Sequence, residues 1–127
     1  MTALLLDAGA FVAYERDDLR LFARLRVAQT GHRPLRTPSI VVAQVWRGTG
    51  GRQARLARLL GAVDIVTIDA DLARAAGTLL GRTGSSDAID ATLVVLAKDG
   101  DDILTSDARD IQALVDAAGK RVGVVAC

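Results

Sequence analysis

The sequence predicts an α/β sandwich in which a mainly parallel central sheet is flanked by helices. Three observations carry this. Short apolar runs that do not alternate with polar residues recur along the chain, as strands buried on both faces do. Stretches with helical spacing separate them, so strands and helices alternate. The length, 127 residues, suits one domain (1–127) with room for a real core.

Taken in order, residues 2–6 (TALLL) read as the first buried strand, ending in Asp7-Ala8-Gly9. A helix follows from about Ala10. Its continuation at 17–29 places Leu19, Phe22, Leu25 and Leu21 towards one face, with Arg20, Arg24 and Arg26 elsewhere. Residues 31–38 read as a loop or the approach to a short strand. Ser39 is the expected N-cap of a helix ended by the glycines at 48–51. Residues 52–60 predict a helix, 63–68 a strand, and 69–80 a helix whose Asp-rich start suits the helix dipole. Ser85 or Ser86 is expected to cap the next helix. Residues 102–105 predict a strand, Ser106 or Asp107 caps a helix to about Ala118, and 122–126 a last strand.

Composition narrows the function classes. Half the residues are hydrophobic and 24% are charged, which excludes a disordered chain. No apolar run reaches the roughly 18–20 residues that span a bilayer. The first residues lack a basic segment and meet Asp7 early, so they make a poor signal peptide. The single cysteine, Cys127, permits no internal disulfide, and a cytoplasmic location is the expectation. Of sixteen basic residues fourteen are Arg; of fifteen acidic residues fourteen are Asp, Glu15 being the exception.

The informative stretch is GSSDAIDATLVVLA at 84–97. Asp87 and Asp90 stand three residues apart on one face of an otherwise apolar helix. Asp7 and Asp107 follow the first strand and the 102–105 strand, at the carboxyl edge where α/β sheets bind ligands. Alone, Asp87 reads equally as a first-turn dipole partner and Asp107 as an N-cap; together the four point to a site. Two carboxylates about 4 Å apart repel by roughly 1 kcal/mol in water and about 4 kcal/mol at an effective dielectric near 20. Such a cluster persists when a cation neutralises it or when protons are taken up. The only histidine, His32, lies in a loop, so a soft-ligand zinc site cannot be assembled. An all-oxygen site suits Mg²⁺ or Mn²⁺.

The motifs LLLDAGAFVAYE, PSIVVAQVWRGTG, SSDAIDATLVVLA and ILTSDARDI, in this order and spacing, resemble those of the PIN-domain ribonucleases. The resemblance is to the small single-domain type that serves as the VapC toxin of type II toxin–antitoxin pairs. It covers nearly the whole chain and implies a PIN-like three-layer sandwich. It further implies an Mg²⁺- or Mn²⁺-dependent endoribonuclease whose products carry a 5′-phosphate and a 3′-hydroxyl. The implied partners are RNA and a VapB-like antitoxin whose peptide arm occupies the acidic cleft, and the implied assembly is a homodimer. Asp7 resembles the first metal-binding aspartate, Asp90 the third acidic position and Asp107 the last. Asp87 fills or assists the role of Asp90. Thr105 and Ser106 orient a carboxylate, contact a phosphate, or serve as ordinary caps.

One departure stands out. Where the family usually carries Glu, this chain has Gln44, which can coordinate weakly and brings no charge. Three readings follow: Asp87 supplies the missing charge, three carboxylates suffice, or the domain binds RNA or an antitoxin without cutting. Arg47, Arg52, Arg55 and Arg58 surround the glycine break and offer either an RNA-phosphate stripe or a solvated face. Trp46 is expected as a core anchor; exposed, it would suggest a partner groove. A phosphoacceptor receiver domain fits poorly because Asp7 is unpaired and Lys120 is misplaced, and a haloacid-dehalogenase-like phosphatase fits poorly because Gly9 stands where a second Asp is needed.

Overall fold

The structure is a computed structural model that describes every residue except Met1 and Thr49, with Gly50 and Arg52 described in their backbone alone. Five parallel strands form the sheet: β1 (Leu4–Leu6), β2 (Leu35–Pro38), β3 (Asp64–Val66), β4 (Asp102–Thr105) and β5 (Gly123–Ala126). Their order is β3-β2-β1-β4-β5. The helices are α1 (Ala8–Glu15), α2 (Leu19–Thr30), α3 (Ser39–Val45), α4 (Ala54–Gly61), α5 (Ala70–Thr83), α6 (Ala88–Leu96) and α7 (Ala108–Ala118). A 3-10 turn, Gly50–Gln53, precedes α4.

The topology follows from handedness. From β1 the chain steps outward to β2 and then β3, carrying α1–α4 across one face. From β3 it returns past β1 to β4 and β5, so right-handed crossovers place α5–α7 on the other face. Contacts join α1 to α2, α3 and α4, and join α5, α6 and α7 to one another. The step direction reverses between β1 and β4, which opens a crevice at their carboxyl ends. That crevice lies between Asp7 and Asp107.

Apolar burial explains the strands. Leu5, Leu6, Ile103 and Leu104 are fully buried in the two central strands. The edge strand β3 is largely exposed, and its shortness limits the unpaired backbone it offers. Buried polar groups are satisfied at both ends of the sheet. Thr37 Oγ1 donates to the Leu6 carbonyl at 2.7 Å, fixing β1 one residue before Asp7. The buried Asp101 carboxylate accepts from Ala3 N–H at 2.7 Å and Lys98 N–H at 2.8 Å.

Several expectations are corrected. The first helix starts at Ala8, because the Asp7 carboxylate caps it by accepting from Ala10 N–H at 3.0 Å. It does not continue through residue 17. Asp17 takes a left-handed conformation (φ 59°), and Asp18 caps α2 through Leu21 N–H. The new phase turns Leu19 outward, 79% exposed, while Leu21 is buried. Pro38, not Ser39, is the N-cap of α3. Asp87, not Ser85 or Ser86, caps α6. The helix expected over 52–60 is split into the 3-10 turn and α4. The glycine break at 48–51 includes Thr49, outside the described residues. No described helix is long and apolar enough to cross a membrane.

Candidate metal centre

Asp7 is the most firmly held of the four carboxylates. It follows β1 directly and is 6% exposed. One oxygen accepts from Ala10 N–H; the other accepts from Ser106 N–H at 3.2 Å and from the Thr105 hydroxyl. Thr105 Oγ1 in turn accepts from Asp107 N–H at 2.8 Å. One hydroxyl therefore sets the geometry between the first and last acidic positions. Burial pushes the Asp7 carboxyl above its ordinary value, and these hydrogen bonds oppose the shift.

Asp87 and Asp90 come from the start of α6. Asp87 Oδ1 accepts from Ile89 N–H and Asp90 N–H at 3.1 and 3.0 Å, so this side chain is anchored as a cap. The apolar sequence after Asp90 turns that residue inward, 8% exposed. Its Oδ2 is buried without a hydrogen-bond donor. Oxygens of Asp87, Asp90 and Asp107 lie within 4.8 Å of one another. Burial first, then the charges of Asp87, Asp107 and Asp7, push the Asp90 carboxyl up to about 7. Three hard oxygen donors, one orphaned inside the protein, fit a divalent cation such as Mg²⁺ or Mn²⁺.

Gly9 completes the wall. A β-carbon there would overlap the Ser106 side chain and come within 3.0 Å of Ser106 N. Gly9→Ala is expected to displace Ser106 from Asp7 and cost about 1–3 kcal/mol, read by urea unfolding.

The remaining sequence candidates lie on α3, the turn after it and α4. Gln44 is exposed on the last turn of α3. Arg47 turns its guanidinium onto the Ala43 and Trp46 carbonyls, 3.2 and 2.8 Å away, closing the end of α3. Arg55 pairs with Asp17 across the surface. The side chain of Arg52 lies outside the described residues, and the 3-10 turn takes its backbone off α4, where Arg55 and Arg58 are exposed. Trp46 is 41% exposed, so the core-anchor expectation is corrected. The turn at Arg47 and Gly48 swings it off α3, and Gln53 holds that turn by accepting from Arg47 N–H at 2.7 Å. Sequence reading also missed Thr37; its only signal was one threonine in an otherwise unremarkable short strand.

A parallel sheet with a carboxylate cluster at its switch point defines a class of metal-site α/β domains. The PIN domain family model matches residues 4–117, and the chain belongs to that family. The fold is similar to the crystal structure of VapBC2 from Rickettsia felis bound to a DNA fragment from their promoter. The TM-score is 0.75 at 13% identity, covering 99% of each chain. A search of curated protein sequences finds no match.

Proposed function

We propose that this PIN domain is a metal-dependent endoribonuclease and the toxin of a type II toxin–antitoxin pair. The cluster of Asp87, Asp90 and Asp107, in which buried Asp90 keeps one oxygen without a donor, is the observation that carries the nuclease reading. Asp90 and Asp107 would hold a Mg²⁺ or Mn²⁺ ion with Asp87, with Asp7 beside them; bound there, such an ion would supply Lewis acidity at the scissile phosphate and lower the pKa of an attacking water. The protein supplies position. Thr105 and Ser106 lock Asp7, Asp87 stays fixed by capping α6, and the buried floor under Asp90 keeps its carboxylate from solvating.

The toxin reading rests on the likeness to VapBC2, which was crystallised bound to a DNA fragment from its promoter. It predicts a VapB-like antitoxin encoded beside this gene and a homodimeric toxin. A second reading, a binding module that does not cut, is favoured by the uncharged Gln44. Cleavage of a mixed RNA pool with Mg²⁺, Mn²⁺ and EDTA separates the two.

Asp7→Asn is the matching control. Its amide can still accept from Ala10 N–H, but the NH₂ faces the Ser106 N–H. The fold is expected to persist with a loss of about 1–3 kcal/mol, while cleavage disappears. Full activity in this variant would sink the assignment.

Protonation of Asp90 also makes binding pH-dependent. Below pH 7 the ion must displace the Asp90 proton, so affinity falls by about tenfold per pH unit as pH drops. Calorimetry in buffers of differing ionisation enthalpy is expected to show about one proton released per ion near pH 6.

A further inference from the structure

A cleft of about 550 Å³ opens beside the carboxylates, between α1 and the carboxyl ends of β4 and β5. Its wall shares Gly9 and Ser106 with the Asp7 lock. Val12, Cys127, Arg16 and Asp18 also line it. The cleft therefore adjoins the Asp7 lock through Gly9 and Ser106, and its lining joins apolar Ala8, Val12 and Ala13 to the charged Arg16 and Asp18. Arg16 is exposed and forms no ion pair among the described residues. Asp18 uses only Oδ1 to cap α2, by accepting from Leu21 N–H at 3.0 Å; its other oxygen accepts from no described residue.

Resting on the nuclease reading, we infer that this cleft is a nucleotide subsite that reads the base next to the scissile phosphate. A single-stranded base, unstacked, packs against Val12 and presents its Watson–Crick edge. Arg16 holds the adjoining phosphate. The Asp18 carboxylate accepts from amino-bearing edges and repels the paired carbonyls of uracil. Gly9 is required for room as well as for the Ser106 contact, since any side chain there would enter the mouth of the cleft. An acidic rim alone would repel RNA; the pairing of one carboxylate with one free guanidinium gives it both attraction and choice.

The test uses Asp18→Asn and Arg16→Ala in the full chain. Asparagine is as good an N-cap as aspartate, so α2 is preserved. Cleavage positions in a mixed RNA pool with Mn²⁺ are mapped for wild type and both variants. Separately, the Asp90→Asn protein with Mg²⁺ is alkylated at Cys127, its single thiol, with and without a mixed-sequence RNA octamer. The octamer is expected to slow alkylation, and adding Arg16→Ala is expected to remove that protection. Asp18→Asn is expected to relax discrimination against uracil by about tenfold. Unchanged cut positions in both variants, with no Cys127 protection, would overturn the subsite. Cys127 protection without wild-type cleavage would overturn the nuclease reading and leave the subsite standing.

Discussion

On the proposed nuclease reading, Asp90→Asn is expected to abolish cation-dependent RNA cleavage and at the same time to make the cation-free protein more stable at neutral pH. The two effects have one cause. Loss of a group that merely orients a ligand costs about 10–100-fold, so loss of the buried ligand itself is expected to cost at least about 100-fold in cleavage. The same carboxylate burdens the fold when no ion is present. Its pKa stands near 7 in the native state against 3.8 for the ordinary side chain. Between those values the folded protein binds more protons than the unfolded chain, so stability falls as pH rises from about 4 to 7. The slope is at most about 1.4 kcal/mol per pH unit for one proton. Below pH 4 both states are protonated and the contribution is fully retained. Asparagine removes the charge and flattens this slope. Thermal melts in EDTA at pH 5 and pH 8 check it: the variant is expected to gain most at pH 8. Mg²⁺ is expected to raise the wild-type melting temperature there and to leave the variant nearly unmoved. A variant less stable than wild type at pH 8 in EDTA would show that Asp90 is not under electrostatic load.

Lys120→Met is expected to lower stability by about 2 kcal/mol without touching the carboxylates. The Lys120 ammonium donates to the Val94, Val95 and Ala97 carbonyls at 3.0, 2.8 and 2.6 Å. These end α6, the helix whose other end carries Asp87 and Asp90. A cation at a helix C-terminus complements the dipole, and here it also satisfies orphan carbonyls. Burial holds the lysine below its ordinary pKa, so part of the gain is offset by desolvation. Methionine keeps the apolar stem and removes the donor. Arginine is expected not to rescue, because a planar guanidinium cannot aim three donors at one helix end as an ammonium does. Urea unfolding of the three proteins decides it; a methionine variant as stable as wild type would show that water replaces the ammonium without loss.

The central part of this architecture was legible because burial leaves a plain trace. LLL before Asp7 and DILT before Ser106 could only be buried strands, and the boundaries Asp102–Thr105 coincide with those expected. Asp7, Asp90 and Asp107 stood out because each interrupts or ends an apolar run. Caps were harder. Ser39, Ser85 and Ser86 are good capping residues, yet the choice among neighbours depends on backbone geometry that composition does not encode. The break at Asp17 was invisible for the same reason, and it reversed the expected placing of Leu19 by restarting the helical phase. The arginines' partners were not legible: Arg47 folds back onto the Ala43 and Trp46 carbonyls and Arg55 meets Asp17, contacts that spacing alone cannot show. Lys120 carried no signal beyond its being one of two lysines.

The bond from Thr105 to Asp7 joins residues 98 positions apart, and β1 finds β4 over the same distance. Closing so long a loop is a late event in folding, since the entropy of bringing the ends together is lost before the contact is gained. During synthesis Asp7 emerges first and waits for Thr105 and Asp107, while β2 and β3 are already available to pair beside β1. The nascent chain is thus chemically silent for most of its time on the ribosome. Its carboxylates converge only when the last quarter of the polypeptide is being made, so the site is assembled last of all.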